Sequence, residues 1–223
     1  MTRHARRGSG GAIRHVVFDW NGTLIDDFGL AVETVNQLRR EHAMAEISHS
    51  DYRQMFRFPI SKFYQELGFV VEREAFARLM ERYLQIFNAR IDACALYPGV
   101  RELVARLRAA GVGVHILSAS HRDTLAQSLR AKNLEHAFDE VVGLGHELAH
   151  GKLELAAWLA ERLGGEPERV VYVGDTDHDY EVARAQRWQF VFVAHGHQAL
   201  PADAPHRAHA VASLDELLGM LVV

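Results

Sequence analysis

Four short apolar runs, each stopping at a polar or glycine-containing cluster, most constrain how this chain can fold. They are Ile13 to Phe18, Val112 to Leu117, Val170 to Val173 and Phe190 to Val193. Each is too short for a buried helix, and its residues do not alternate with polar ones. Near-continuous runs of this kind are strands covered on both faces, as in a parallel sheet. Phe138 to Val142 is a further candidate strand.

Helical patterns separate the runs. Val100 to Ala110 carries Val100, Leu103, Val104 and Leu107 at helical spacing and stops at Gly111, a residue suited to a helix C-terminus. Leu153 to Leu163 stops in the same way at Gly164-Gly165. Asp123 to Lys132 and Tyr180 to Trp188 add two more. Strand and helix alternate, so the expected class is α/β, a doubly wound parallel sheet of Rossmann-like form with right-handed crossovers.

One region breaks the alternation. From about Phe28 to Ala95 the patterns are helical only, as in Leu30 to Arg40 and Glu72 to Asn88, with Met55 to Pro59 a joint between helices. A helical insert after the first strand would lie over the carboxyl edge of the sheet. Tyr97-Pro98-Gly99 reads as the return turn. The expected organisation is a flexible tail over residues 1–10, a core over 11–27 plus 96–223, and an all-helical cap over 28–95. The segments Ile25 to Phe28 and Leu96 to Gly99 would be hinges.

Composition narrows the function. With 223 residues, the chain is long enough for one good core and a small accessory domain. Its net charge of −4 argues against a dedicated nucleic-acid binder. No stretch approaches the roughly 20 apolar residues of a membrane span, so the expected location is the cytoplasm. The single cysteine, Cys94, cannot form an internal disulfide and reads as a small apolar residue.

Open α/β sheets bind ligands at the carboxyl ends of their strands. The first strand ends in Asp19-Trp20-Asn21-Gly22-Thr23-Leu24 and the second in Ser118-Ala119-Ser120. A later strand ends in Gly174-Asp175-Thr176-Asp177-His178-Asp179, and Lys152 opens the helix before it. Two or three carboxylates make a hard-oxygen cage suited to Mg²⁺. A lysine, a serine hydroxyl and the amides of a helix N-terminus near Ser118 can hold phosphate oxygens. A carboxylate facing a bound phosphate can act as the nucleophile.

The set DWNGTL, HILSAS, Lys152 and GDTDHD resembles the four ordered motifs of the haloacid dehalogenase superfamily. The resemblance spans essentially the whole chain, including VFVAHGHQ and the closing helix. The helical insert is similar to the small cap of the phosphoglycolate-phosphatase-like branch. The resemblance implies an enzyme, a Mg²⁺-dependent phosphatase acting on a small phosphorylated metabolite such as phosphoglycolate or a sugar phosphate. Asp19 would be nucleophile and metal ligand, and Asn21 would give its backbone carbonyl to the metal. Asp175 and Asp179 would complete the metal site. Ser118, Ala119 and Lys152 would hold the phosphoryl group, Lys152 also neutralising charge on Asp19. Arg57, flanked by Phe56 and Phe58, is the first choice in the cap for reaching the far end of the substrate.

One position departs from the pattern. The family's phosphatases usually have Asp two residues after the nucleophile, where this chain has Asn21. An amide is neither a proton donor nor a base at neutral pH, and such assistance is typically worth roughly 10²–10⁴-fold. Three outcomes are consistent with Asn21. The leaving group needs no acid; another residue such as His121 or His178 substitutes; or turnover is slow and the role is ligand binding or regulation. A phosphonate hydrolase is a further alternative, which would call for a cap lysine, and Lys62 is the lysine of that segment.

Blander readings stand beside these. A strand-end Asp or Ser commonly caps a helix, and Asp179 serves as readily in structure as in ligation. His146-Glu147-Leu148-Ala149-His150 matches the HExxH pattern of zinc proteases. Glycines bracket it, and with 14 histidines in the chain chance matches are cheap. His195 and His197 read as members of a simple loop.

Overall fold

A computed structural model of the chain describes residues 12–145 and 151–221. The basic head of the sequence lies outside them. The chain opens with β1 (His15–Phe18) and continues through α1 (Phe28–Glu41), α2 (His49–Met55), α3 (Ile60–Glu66) and α4 (Arg73–Asn88). It then alternates: α5 (Val100–Ala109), β2 (Gly113–His121), α6 (Arg122–Ala131), β3 (Glu140–Leu144) and α7 (Lys152–Arg162). β4 (Val170–Gly174), α8 (Asp177–Gln186), β5 (Gln189–Val193), β6 (Ala210–Val211) and α9 (Leu214–Leu221) complete it. The six strands form one sheet in the order β3-β2-β1-β4-β5-β6, and every neighbouring pair is parallel. This is the Rossmann-like α/β architecture.

The continuous apolar runs have a direct cause. Val16, Val17 and Phe18 of β1 are all fully buried. Val16 and Phe18 join a core shared with α1, α5, α6 and α9, where Val35, Leu103, Leu107, Leu125 and Leu217 meet Ile116 and Val173. Val17 points to the opposite face, where Leu155 and Leu159 of α7 and Val182 of α8 pack with Leu117, Tyr172 and Phe192. Successive side chains of a strand face opposite ways, so two covered faces remove any need for alternation. Each such side chain contributes about 1.5–3 kcal/mol on full burial.

Between β1 and α5 the described chain is helical apart from its turns and a short 3₁₀ segment at Ile91–Ala93. α1 and α4 pack on each other, and α2 and α3 join through the joint around Phe56 to Pro59. The two passes between this insert and the sheet lie side by side. Asp26 N donates to Ala95 O at 2.8 Å and Tyr97 N to Leu24 O at 3.0 Å. Gly99 then turns with φ +85°, a conformation that favours glycine, and precedes α5.

One expectation needs correction. Residues Ser118 to His121 continue β2 instead of opening a helix, with a register shift against β3 between Leu117 and His121. α6 therefore begins only at Arg122, where the His121 ring accepts from Asp123 N at 3.3 Å. Helix amides thus do not lie at Ser118. β6, two residues long, carries no legible strand signal. No described helix is long and apolar enough to cross a membrane. Cys94 is half-buried, and burial pushes its thiol up to about 11.

Candidate active site

Parallel packing brings the carboxyl ends of β1, β2 and β4 together, and the chemistry of the sequence converges there. Among the described residues, one ligand oxygen from each of Asp19, Asp175 and Asp179 lies within 4.8 Å of the others. All three are buried. Lys152 Nζ reaches between them, donating to Asp19 Oδ1 at 2.6 Å and to Asp179 Oδ1 at 2.7 Å. Lys152 opens α7, itself packed on the sheet through Leu155 and Leu159, so its long stem enters the site along the protein and only 7% of the residue is exposed.

The three carboxylates are not equivalent. Asp179 Oδ1 accepts from Lys152 and from Tyr172 OH at 3.0 Å. Its Oδ2 accepts from Thr176 N at 3.0 Å and Thr176 Oγ1 at 2.7 Å, completing a capping box at the start of α8. Burial alone would push this carboxyl up; Lys152, Thr176 and Tyr172 together hold it below its ordinary value. Asp175 Oδ1 accepts from Thr23 Oγ1 at 3.0 Å and Oδ2 from His197 N at 2.6 Å. Burial raises Asp175 to about 6. Asp19 is raised furthest, to about 8, by burial and by Asp179 and Asp175, with Lys152 opposing.

Raised carboxyls packed this closely describe a site short of positive charge. A divalent cation would relieve it, and hard carboxylate oxygens suit one. The residues present therefore fit a metal ion. Among the described residues Asp19 accepts from one protein donor and Asp175 from one at each oxygen, whereas Asp179 accepts from two at each.

Asn21 lies in the turn after Asp19 and is held at both ends of its amide. Its Nδ2 donates to Asp27 Oδ2 at 2.8 Å, and its Oδ1 accepts from Ser120 Oγ at 2.7 Å. Ser118 is buried at the end of β2, its Oγ accepting from Ser120 N at 3.1 Å. Ala119 is exposed beside it and can offer its backbone.

Two further residues, His197 and Asp27, belong to this site. His197, read as part of a simple loop, is 6% exposed and bonds to Asp27 Oδ1 through Nε2 at 3.1 Å. Its Nδ1 lies 3.3 Å from Tyr52 OH on α2. Burial disfavours its charge, but Asp27 and Asp175 overcome this and raise it to about 9. Its loop is pressed onto the site, for a Cβ at Gly196 would stand 2.2 Å from Asp175 Oδ2. The signal available was the His-Gly-His pattern in Ala194-His195-Gly196-His197 just past β5.

Arg57 is not among the residues brought together. Its Nε donates to Met55 O at 3.0 Å and its guanidinium pairs with Glu66 at 3.3 Å. It follows the end of α2, so the guanidinium folds back on the helical insert. Arg53, one turn earlier, crosses to the sheet instead: it covers the Phe28 ring at 4.2 Å and donates to His195 O. Ala199 N donates to Arg53 O at 2.9 Å, and Phe58 stacks on His178 at 4.5 Å. These contacts seat α2 and the Phe56 to Pro59 joint against the loops around the carboxylates. His121 is engaged at the start of α6, and Lys62 is exposed on α3. The HExxH match, His146 to His150, lies outside the described residues.

Comparison with known proteins agrees with this geometry. The family model described as haloacid dehalogenase-like hydrolase matches residues 16–193. A phosphoglycolate phosphatase of Synechococcus elongatus is 30% identical over 169 residues, covering 76% of this chain and 78% of that protein. A predicted phosphatase from Clostridium acetobutylicum superposes with a TM-score of 0.80 over 95% of this chain and 99% of its own, at 20% identity. The protein tyrosine kinase PtkA of Mycobacterium tuberculosis superposes with a TM-score of 0.78 at 25% identity, over 96% of this chain and all of that one.

Proposed function

The chain belongs to the haloacid dehalogenase-like hydrolases and is a phosphatase of the phosphoglycolate-phosphatase-like branch, and from that premise we propose that it hydrolyses small phosphate monoesters with Mg²⁺ through an aspartyl-phosphate on Asp19. The observation that carries this reading is the buried cluster of Asp19, Asp175 and Lys152 at one sheet edge. Asp19, Asp175 and the Asn21 carbonyl would hold the ion, which when bound lends positive charge to the phosphoryl oxygens.

An Asp19 carboxylate oxygen attacks phosphorus, the bond from phosphorus to the ester oxygen breaks, and the ester oxygen leaves with the bonding pair and takes its proton from solvent. Lys152 holds Asp19 in place and offsets the charge gathered there, while Ser118 and the Ala119 amide hold phosphoryl oxygens. Water then attacks phosphorus, and phosphate leaves with the Asp19 carboxylate restored. Asp179 keeps Lys152 between the two carboxylates. The helical insert over residues 28–95 acts as a cap that excludes water.

The side chains considered as acid are committed elsewhere. Asn21 is bonded at both ends, His121 caps α6 and His178 is stacked under Phe58. The reading that fits is a substrate whose alcohol departs with little protonation. Esters of acidic alcohols, aryl phosphates among them, are of this kind.

The test is phosphate release from a panel of esters graded by leaving-group acidity, with and without Mg²⁺, by wild type and Asp19→Ala. Mg²⁺-dependent release that rises steeply with leaving-group acidity and vanishes in the variant supports the proposal. Release that needs no metal, or that survives in the variant, refutes it.

A further inference from the structure

Asp27 occupies the N-cap position of α1, where an aspartate ordinarily accepts a hydrogen bond from the first turn of its helix. Here its side chain makes no cap bond. The carboxylate turns away from its own helix and is spent on the loop after the nucleophile. Oδ2 accepts from Asn21 Nδ2 at 2.8 Å, and Oδ1 accepts from Gly22 N at 2.7 Å and faces His197 Nε2 at 3.1 Å. The residue is 1% exposed, so these partners stand in place of water.

This bonding fixes two things about Asn21. The first is its side chain, since Ser120 Oγ holds the other end of the amide at 2.7 Å. The second is its backbone. In a trans peptide C=O and N–H lie in one plane and point in opposite directions across the C–N bond. Holding Gly22 N–H against Asp27 therefore turns the Asn21 carbonyl away from Asp27. On its other flank the same turn is closed by Asp175: a Cβ at Gly22 would lie 2.4 Å from Asp175 Oδ2. The Asn21–Gly22 peptide is thus clamped by Asp27, with Gly22 N also donating to Ile25 O at 3.1 Å, and packed against Asp175 and His197.

We infer that Asp27 is a positioning residue that aims Asn21, and that Asn21 and Asp27 are a matched amide–carboxylate pair. The inference deepens the proposed function, because it concerns the carbonyl assigned there to the metal. It gives Asn21 a reason of its own. An aspartate at position 21 would set two carboxylates at the contact now made at 2.8 Å, where an amide hydrogen bond is replaced by like-charge repulsion. The Asn21→Asp change would thus break the clamp instead of supplying a proton shuttle.

The experiment is a double-mutant cycle of Asn21→Asp, Asp27→Asn and the exchanged pair, read in two ways. The first readout is kcat against KM on an activated aryl phosphate with Mg²⁺. The second is the thermal midpoint of the metal-free protein. Asn21→Asp is expected to lose on the order of 10²-fold in kcat, the scale of a small misplacement at the reacting centre, with KM little changed because Ser118 and Lys152 are intact. The exchanged pair regains most of that loss, and its midpoint recovers likewise. A purely structural role would restore the midpoint without restoring kcat. An Asn21→Asp variant as fast as wild type, or an exchanged pair no faster than Asn21→Asp, overturns the inference. Should wild type itself release no phosphate, the proposed function fails separately. Midpoint changes that add without coupling then overturn the pairing, and coupled ones uphold it.

Discussion

Replacing Lys152 with methionine keeps most of the side chain's length and removes its charge. The structure sets the size of the effect. Lys152 is buried and is the cation between Asp19 and Asp179. Removing one partner of a buried ion pair typically costs about 3–5 kcal/mol. The abandoned carboxylates have a cheaper course at low pH, which is to take up a proton. Keeping a carboxyl neutral costs about 1.4 kcal/mol for each pH unit above its ordinary value near 3.9. At pH 5 that is roughly 1.5 kcal/mol for one carboxyl; by pH 8 it exceeds roughly 5 kcal/mol and the ion-pair cost applies in full. The sign follows: a carboxyl whose folded value is raised stabilises least at high pH, so the deficit of the variant grows as pH rises. At roughly 2–4 °C per kcal/mol for a chain of this size, Tm should fall by roughly 3–6 °C at pH 5 and roughly 6–20 °C at pH 8. Thermal unfolding of metal-free wild type and variant at the two pH values measures it. An equal deficit at both, or a negligible one at pH 8, would refute the reasoning.

Further predictions concern other parts of the molecule. His115, 3% exposed and 3.1 Å from His15, is lowered to about 4 by burial and by His15. Its folded value lies below its unfolded one, so its neutral form contributes stability above pH 6.5 that is lost as pH falls toward 4, about 2 kcal/mol by pH 5; in urea unfolding at pH 7 and pH 5, His115→Leu should lose correspondingly less between the two. Gly196→Ala would drive a methyl to 2.2 Å from Asp175 Oδ2, and steady-state kinetics should show a loss on the order of 10²-fold in kcat/KM; activity near wild type would contradict that packing. Arg57→Ala removes a half-exposed pair with Glu66, so Tm should fall by no more than roughly 4 °C and KM should hold, whereas a large rise in KM would return Arg57 to the substrate.

Much of this was legible in the sequence, for identifiable reasons. The strands were legible because burial on both faces imposes continuous apolar runs such as Val16-Val17-Phe18. The insert showed itself because helical periodicity from Leu30 to Asn88 interrupts the alternation. Asp19 and Asp175 stood out because strand ends carry the ligands of such sheets, and Lys152 because of its place in the order of the four motifs. What escaped was decided in space. Asp27 has the appearance of a helix cap, and only the folded chain reveals that its carboxylate turns to Asn21, Gly22 and a histidine 170 residues away. His197 sits in a loop whose burial depends on α2 closing over it through Tyr52. Arg57 was favoured for its aromatic neighbours, yet the end of α2 aims Arg53 toward the sheet and turns Arg57 back to Glu66. The helix amides expected near Ser118 lie further on because Ser118-Ala119-Ser120 suits a helix cap as readily as a bulged strand end.

The central claim is that Asp19 carries the phosphoryl group during turnover. The most direct measurement is a rapid acid quench of enzyme with Mg²⁺ and a ³²P-labelled aryl phosphate, followed by mapping of the labelled peptide. The account predicts hydroxylamine-labile label on the peptide holding Asp19, absent from the Asp19→Asn variant. Undiminished phosphate release by that variant, with no label on the peptide from wild type, would contradict it.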